Sequence, residues 1–219
     1  MSVLALGCAG CTRRQDYSAV TFETDVEHKI VVAIDLSGSF LNLMAEKGYA
    51  HQFLMQVLDK YGRDRSTDHI ILAQLSGNNR PLLFEGTAYD LRKKFPSANA
   101  FRDFLIANSD AGASRLADGF SDVLEYLVRD PLVRNSTVKT CCLVLSDLDN
   151  NVVSAKGDTS SRFRKALAAY KQCDGILAFY FASTQPEIVE PWIRGLNESG
   201  IPYHMEPNIV DHPTLPSFD

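Results

Sequence analysis

Short apolar runs alternate with longer amphipathic segments along most of this chain. Lys29 to Leu36 reads as a strand that runs into "DLSGS". Ala50, Phe53, Leu54, Val57, Leu58 and Tyr61 then recur at helical spacing, and Gly62 stops that helix. His69 to Leu75 is a second apolar strand. "PLLFEG" predicts a shorter one, placed at a sheet edge because Pro81 stands at its start. Tyr89 to Phe95 predicts a short helix ended by Pro96. Ser97 is a good N-cap for the segment through Phe101, Phe104 and Leu105. Leu116, Phe120, Val123, Leu124, Leu127 and Val128 share one helical face, with Pro131 as the terminator.

The second half repeats the alternation. Val138 to Leu145 and Gly175 to Ala182 are nearly unbroken apolar, the pattern of strands buried on both faces. Ser161 to Lys171 and Glu187 to Leu196 read as helices, and "GIPYHME" as a last, more polar strand carrying His204. Strands alternating with helices predict an α/β fold: a Rossmann-like, open, mostly parallel sheet with helices on both faces. The boundaries are a leader and linker at 1–26, one domain at 27–206 and an irregular, loose tail at 207–219.

Charge narrows the partners. The net charge is −5 over 219 residues, with no long basic block. Arg92-Lys93-Lys94 reads as a solvated helix face. The balance argues against nucleic acid and gives an anionic membrane surface no electrostatic attraction. The first residues, "MSVLALGCAGC", are apolar and small before the polar "TRRQD". They resemble a bacterial lipobox, with Ala9-Gly10-Cys11 or Leu6-Gly7-Cys8 as the processing site. Cys11 would then carry a lipid anchor outside the cytoplasm, at the periplasmic or cell surface; the alternative is a frayed cytosolic terminus. No other stretch is long and apolar enough to span a bilayer. Cys8 and Cys11 lack the context of a redox or zinc motif. Cys141, Cys142 and Cys173 read as buried small hydrophobes, with a bridge from one of the pair to Cys173 as the alternative in an oxidising compartment.

The chemistry concentrates where the first strand ends. Asp35, Ser37 and Ser39 alternate, so an extended loop would project three oxygens to one side. One carboxylate and two hydroxyls are hard donors suited to Mg²⁺, Mn²⁺ or Ca²⁺. A single carboxylate holds a divalent ion poorly. Asp147, at the end of a later central strand, is the natural second one. In open α/β sheets such strand ends are where ligands sit.

D-x-S-x-S after a first strand and before a helix resembles the von Willebrand factor A domain and its metal-ion-dependent adhesion site. The resemblance covers residues 27 to 206. It implies that Asp35, Ser37 and Ser39 form the first ligand segment. Ser114, in "DAGASRLADGF", stands where the family has Thr, and Asp147, in "LVLSDLD", stands as the third-segment ligand. Ser146 and Leu148 replace the family's Thr and Gly around that Asp, and Asp149 adds a carboxylate. The resemblance further implies a cation, Mg²⁺ foremost, with a coordination position left for a carboxylate of a protein partner, and no catalysis. Against it stands a plainer reading, in which Asp35 and the serines only tie the loop to the N-terminus of the next helix.

The rival function is a metal-dependent hydrolase or phosphatase using Asp35, Asp147 and Asp149, since "LVLSDLDNN" resembles the first motif of haloacid-dehalogenase-type phosphatases. That motif belongs on a first strand, and here it comes late. A two-lobed solute-binding protein does not fit one domain of this length. P-loop, HExxH and GxSxG patterns are absent, Ser136-x-x-Lys139 lacks its partner motifs, and the histidines show no ligand spacing.

Overall fold

Strand β1 (His28–Ile34) lies at the centre of a six-stranded sheet ordered β3-β2-β1-β4-β5-β6. The computed structural model of the chain describes residues 26–45, 48–62, 67–75, 81–109, 115–149, 158–208 and 213–215. In chain order the elements after β1 are α1 (Tyr49–Tyr61), β2 (His69–Gln74), β3 (Leu82–Thr87), α2 (Ala88–Lys94) and α3 (Ala98–Ala107). There follow α4 (Leu116–Arg129), α5 (Pro131–Arg134), β4 (Lys139–Leu145), α6 (Asp158–Lys171), β5 (Ile176–Ala182), α7 (Pro186–Ser199) and β6 (Tyr203–Pro207). Every pairing is parallel except β2 with β3, so "PLLFEG" takes the edge place its proline foretold and runs antiparallel there.

The strand pattern follows from burial on two sides. Val31 and Ala33 of β1 join a cluster with Phe120 and Leu124 of α4, Leu167 of α6 and Trp192 of α7. Ile30, Val32 and Ile34 join the opposite cluster with Phe53 and Leu54 of α1, Leu91 of α2 and Phe101 of α3. Both faces are covered, so polar alternation would place unpaired groups in apolar layers. Each fully buried Val, Leu, Ile or Phe side chain contributes roughly 1.5–3 kcal/mol of transfer free energy. Layer contact is close. A Cβ on Gly119 would stand 2.3 Å from the Leu75 carbonyl oxygen, so α4 needs glycine there to lie against the end of β2.

Local signals set several helix ends. The Ser97 hydroxyl accepts the Ala100 N–H at 3.1 Å and starts α3. Thr87 and Asp90 exchange side-chain-to-backbone bonds in a capping box at α2. Gly200, at φ 63°, closes α7 in the left-handed conformation. Two expectations need correction. Pro131 does more than stop α4: it is the first residue of α5, whose Leu132 N–H is capped by the Asp130 carboxylate at 2.8 Å. The C-terminal tail is not loose throughout. The Tyr180 hydroxyl donates to the Thr214 carbonyl at 2.8 Å, the Thr214 N–H donates to Glu206 at 3.2 Å, and Leu215 packs on the α1-side cluster.

Cys141, Cys142 and Cys173 are buried free thiols, so the structure has no bridge among them. At the amino end of the sheet the buried Lys29 ammonium pairs with Asp130 and, at 3.6 Å, with Glu85. This ties β1 to the α4–α5 joint and to the edge strand. No helix among the described residues is long and apolar enough to cross a membrane.

Candidate functional site

The strand order makes a crevice between β1 and β4. The chain leaves β1 to build β2 and β3 on one side, then returns to add β4 on the other. Connections diverge at that point, and the carboxyl ends of β1 and β4 are left open between them. The Asp35 N–H donates to the Leu145 carbonyl at 2.9 Å, which sets the two strand ends side by side. Asp35 follows β1, and Ser146 with Asp147 follows β4.

Asp35 is wholly buried. Its Oδ1 accepts the Ser37 N–H at 2.9 Å and its Oδ2 accepts the Ser146 hydroxyl at 2.8 Å. Burial is the main influence on its carboxyl and pushes it above the usual carboxylate range. Hydrogen bonds from Ser37 and Ser146 pull it back, and the nearby charge of Asp147 pushes it up again. Among the described residues, no Lys, Arg or His forms an ion pair with Asp35 or Asp147.

The loop after Leu36 does not stay extended. It turns, with the Leu41 N–H on the Ser37 carbonyl at 3.0 Å. The turn still brings the Ser37 and Ser39 hydroxyl oxygens to 3.3 Å of one another, Ser37 buried and Ser39 exposed. These side chains do not cap the next helix. Gly48 is the N-cap of α1, with no side-chain cap, and its carbonyl accepts from Gln52.

The loop after β4 is held from several sides. Ser146 relays order: its hydroxyl donates to Asp35 and accepts the Leu148 N–H at 2.9 Å. Asp147 is half-buried. Its Oδ1 accepts the Asp149 N–H at 3.0 Å and its carbonyl accepts the Ser183 N–H at 3.0 Å. The structure therefore brings Asp35, Ser37, Ser39 and Asp147 to one end of the sheet, and adds Ser146 as the buried connection between the two loops. In the sequence Ser146 was legible only as a stand-in for the Thr of the family that the chain resembles. Ser114 lies outside the described residues. So do the proposed anchor Cys11 and its neighbour Cys8. Among the described residues no three His, Cys, Asp or Glu side chains converge as a metal cluster. The oxygens here are two carboxylates with hydroxyls.

No protein-family model and no curated protein matches the chain. Solved structures do. The chain is similar to the VWA domain of SpRpn10, with a TM-score of 0.52 and 11% identity over 83% of this chain and 88% of that one. It is similar to the pilus adhesin SpaC from Lactobacillus rhamnosus GG in its open conformation, with a TM-score of 0.55 and 14% identity, spanning 82% of this chain but only 28% of the adhesin. It is also similar to the manganese-loaded TRAP protein of Plasmodium vivax, with a TM-score of 0.51 and 12% identity over 84% of this chain and 69% of that one. At these identities the likeness establishes the fold, which is the α/β, Rossmann-like fold of von Willebrand factor A domains.

Proposed function

We propose that this domain is a binding module that uses a divalent cation to take hold of a protein partner. The observation that carries the reading is Asp35: a fully buried carboxylate, beside a second carboxylate, with no cationic side chain paired to it among the described residues. Such a group either holds a proton or needs a positive charge from beyond the described residues, which a bound cation would supply. The donors suit a hard cation. Ligands at right angles around Mg²⁺ at about 2.1 Å stand about 3 Å apart, and around Ca²⁺ somewhat more. The 3.3 Å between the Ser37 and Ser39 oxygens is of that size.

In this reading Ser37 and Ser39 offer hydroxyl oxygens, Asp147 offers the carboxylate oxygen not taken by the Asp149 N–H, and Ser114 is the hydroxyl that the resemblance assigns to the second segment. Both Asp35 oxygens already accept hydrogen bonds, so its part is chiefly charge and the orientation of the Ser37 loop. Bound there, Mg²⁺ (or Mn²⁺ or Ca²⁺) supplies an electrophilic position that a partner's carboxylate can fill. A pilus adhesin among the proteins of the same fold favours adhesion or adaptation over catalysis. The manganese-loaded protein of the same fold supports a cation, and the pilus adhesin supports a surface role. Lipid attachment at Cys11, outside a bacterial cytoplasm, is part of the same proposal.

The test is capture of partners from the native source on immobilised wild type and Asp35→Asn, each in Mg²⁺ and in EDTA. A partner retained by wild type in Mg²⁺, and released in the other three conditions, is the expected result. Equal retention in all four contradicts the reading.

A further inference from the structure

Two strained backbone positions flank the candidate site. Leu148 has φ 63° and Phe181 has φ 67°, in the left-handed region that bulky side chains rarely enter. The other non-glycine residues with positive φ among the described residues are Ser136 and Asp174. Both are polar turn residues at the opposite, amino end of the sheet, where such a conformation is ordinary. Leu148 and Phe181 are each 1% exposed.

Their side chains go to opposite layers. Leu148 is sunk in the cluster beneath α4, α6 and α7. Phe181 is sunk in the cluster beneath α1, α2 and α3, with its ring 6.1 Å from that of Phe40 and 5.8 Å from that of Phe53. The β5–β6 register breaks between Phe179 and Ala182, so Tyr180 and Phe181 fall in one cluster instead of alternating. Phe40 directly follows Ser39. The two loops are tied together on either side of Asp147: the Ser146 N–H donates to the Tyr180 carbonyl at 3.2 Å, and the Ser183 N–H to the Asp147 carbonyl at 3.0 Å.

A strained residue persists only where its surroundings over-determine it, and such residues gather at functional sites. We infer that Leu148 and Phe181 are positioning residues of this site, a pair of apolar pins sunk in opposite faces of the sheet that fix the loops carrying Ser146 and Asp147 toward Asp35. The inference rests on the cation reading for its purpose, but the pinning itself is a property of the chain alone. Glycine at 148 would be at ease in the left-handed conformation but would keep only the backbone hydrogen bonds of the loop. Burial of the leucine adds the hold that those bonds alone do not supply.

The experiment compares wild type, Leu148→Gly and Leu148→Met. Amide hydrogen exchange is followed in metal-free protein, and Mn²⁺ titration is read by electron paramagnetic resonance. Methionine keeps an apolar anchor of similar volume. Leu148→Gly is expected to speed exchange at the Asp147, Leu148 and Asp149 amides and to weaken Mn²⁺ about tenfold or more, as loss of a supporting contact does elsewhere. Leu148→Met is expected to stay close to wild type in both. Wild-type exchange in Leu148→Gly overturns the inference, and so does a Leu148→Met as loose as Leu148→Gly. If wild type takes up no Mn²⁺, the cation reading falls and exchange alone decides the pins. If Leu148→Gly does not fold, Phe181→Leu is read in its place. Faster exchange at the Ser146 and Ser183 amides supports the inference, and unchanged exchange overturns it.

Discussion

Ser146→Ala removes one oxygen and two hydrogen bonds from the most deeply buried part of the site. The Asp35 Oδ2 loses its 2.8 Å donor, and the Leu148 N–H loses its 2.9 Å acceptor. A hydrogen bond to a charged group contributes about 1.5–3 kcal/mol, and a buried donor left without a partner costs about 1–3 kcal/mol. Allowing for relaxation of the loop, metal-free Ser146→Ala should be less stable than wild type by about 3 kcal/mol at pH 7.5. At roughly 2–4 °C per kcal/mol for a domain of this size, that lowers the melting temperature by about 10 °C.

The pH dependence separates this cause from simple loss of packing. The folded-state pKa of Asp35 is raised, so its contribution to stability is greatest below the unfolded-state value and is lost as pH rises through the folded-state value. The serine hydroxyl lowers that pKa, so its removal raises it further. The deficit of the variant should therefore shrink on acidification, once Asp35 is protonated in both proteins. Urea denaturation in EDTA at several pH values measures it, with Ser146→Thr as the control that keeps the hydroxyl. A Ser146→Ala within about 0.5 kcal/mol of wild type, the spread of ordinary surface substitutions, or a deficit independent of pH, would refute the reasoning.

Two other expectations concern the scaffold. Lys29→Met leaves the Asp130 and Glu85 carboxylates facing a buried apolar side chain. A loss of about 2 kcal/mol by urea denaturation is expected, below the cost of breaking a fully buried pair because both acids reach solvent. Burial alone would push Asp130 up, but Lys29 and the Leu132 N–H hold its carboxyl below the usual range, so this stabilisation should fade as pH falls through that lowered value and be smaller in Lys29→Met, where the Leu132 N–H remains. Burial pushes the Cys141 thiol up to about 12 and that of Cys142 well above its usual value, so both should react with a thiol reagent at pH 8 only at the rate of unfolding, and reductant should leave the melting temperature unchanged.

Much of this arrangement was legible in the sequence, for physical reasons that differ by element. β1, β4 and β5 were plain because strands covered on both faces must be apolar throughout. α3 was plain because Ser97 is both a poor helix interior and a good cap. Asp35 stood out because a buried run that ends on a carboxylate is costly unless the acid has a purpose. What escaped notice depends on tertiary context. Pro131 reads equally as the end of one helix and the start of another until Asp130 is seen to cap the second. Ser146 resembles any serine after a strand until its hydroxyl is found between Asp35 and Leu148. Nothing in a linear pattern marks Leu148 or Phe181 as left-handed, because apolar residues there predict burial and say nothing of the backbone that burial enforces. The hold on Thr214 comes from Glu206 nearby and from Tyr180, which is remote in sequence.

The most direct measurement is the melting temperature of wild type and Asp35→Asn with and without Mg²⁺ or Mn²⁺, at pH 7.5 after EDTA treatment. Asparagine keeps the shape and removes the charge. With cation at about 100 times its dissociation constant, wild type should gain about 2.7 kcal/mol, or roughly 5–10 °C, while Asp35→Asn should not respond to either ion and should melt no lower than metal-free wild type. A wild type whose melting is indifferent to both ions, or an Asp35→Asn that gains as much as wild type, would contradict the account.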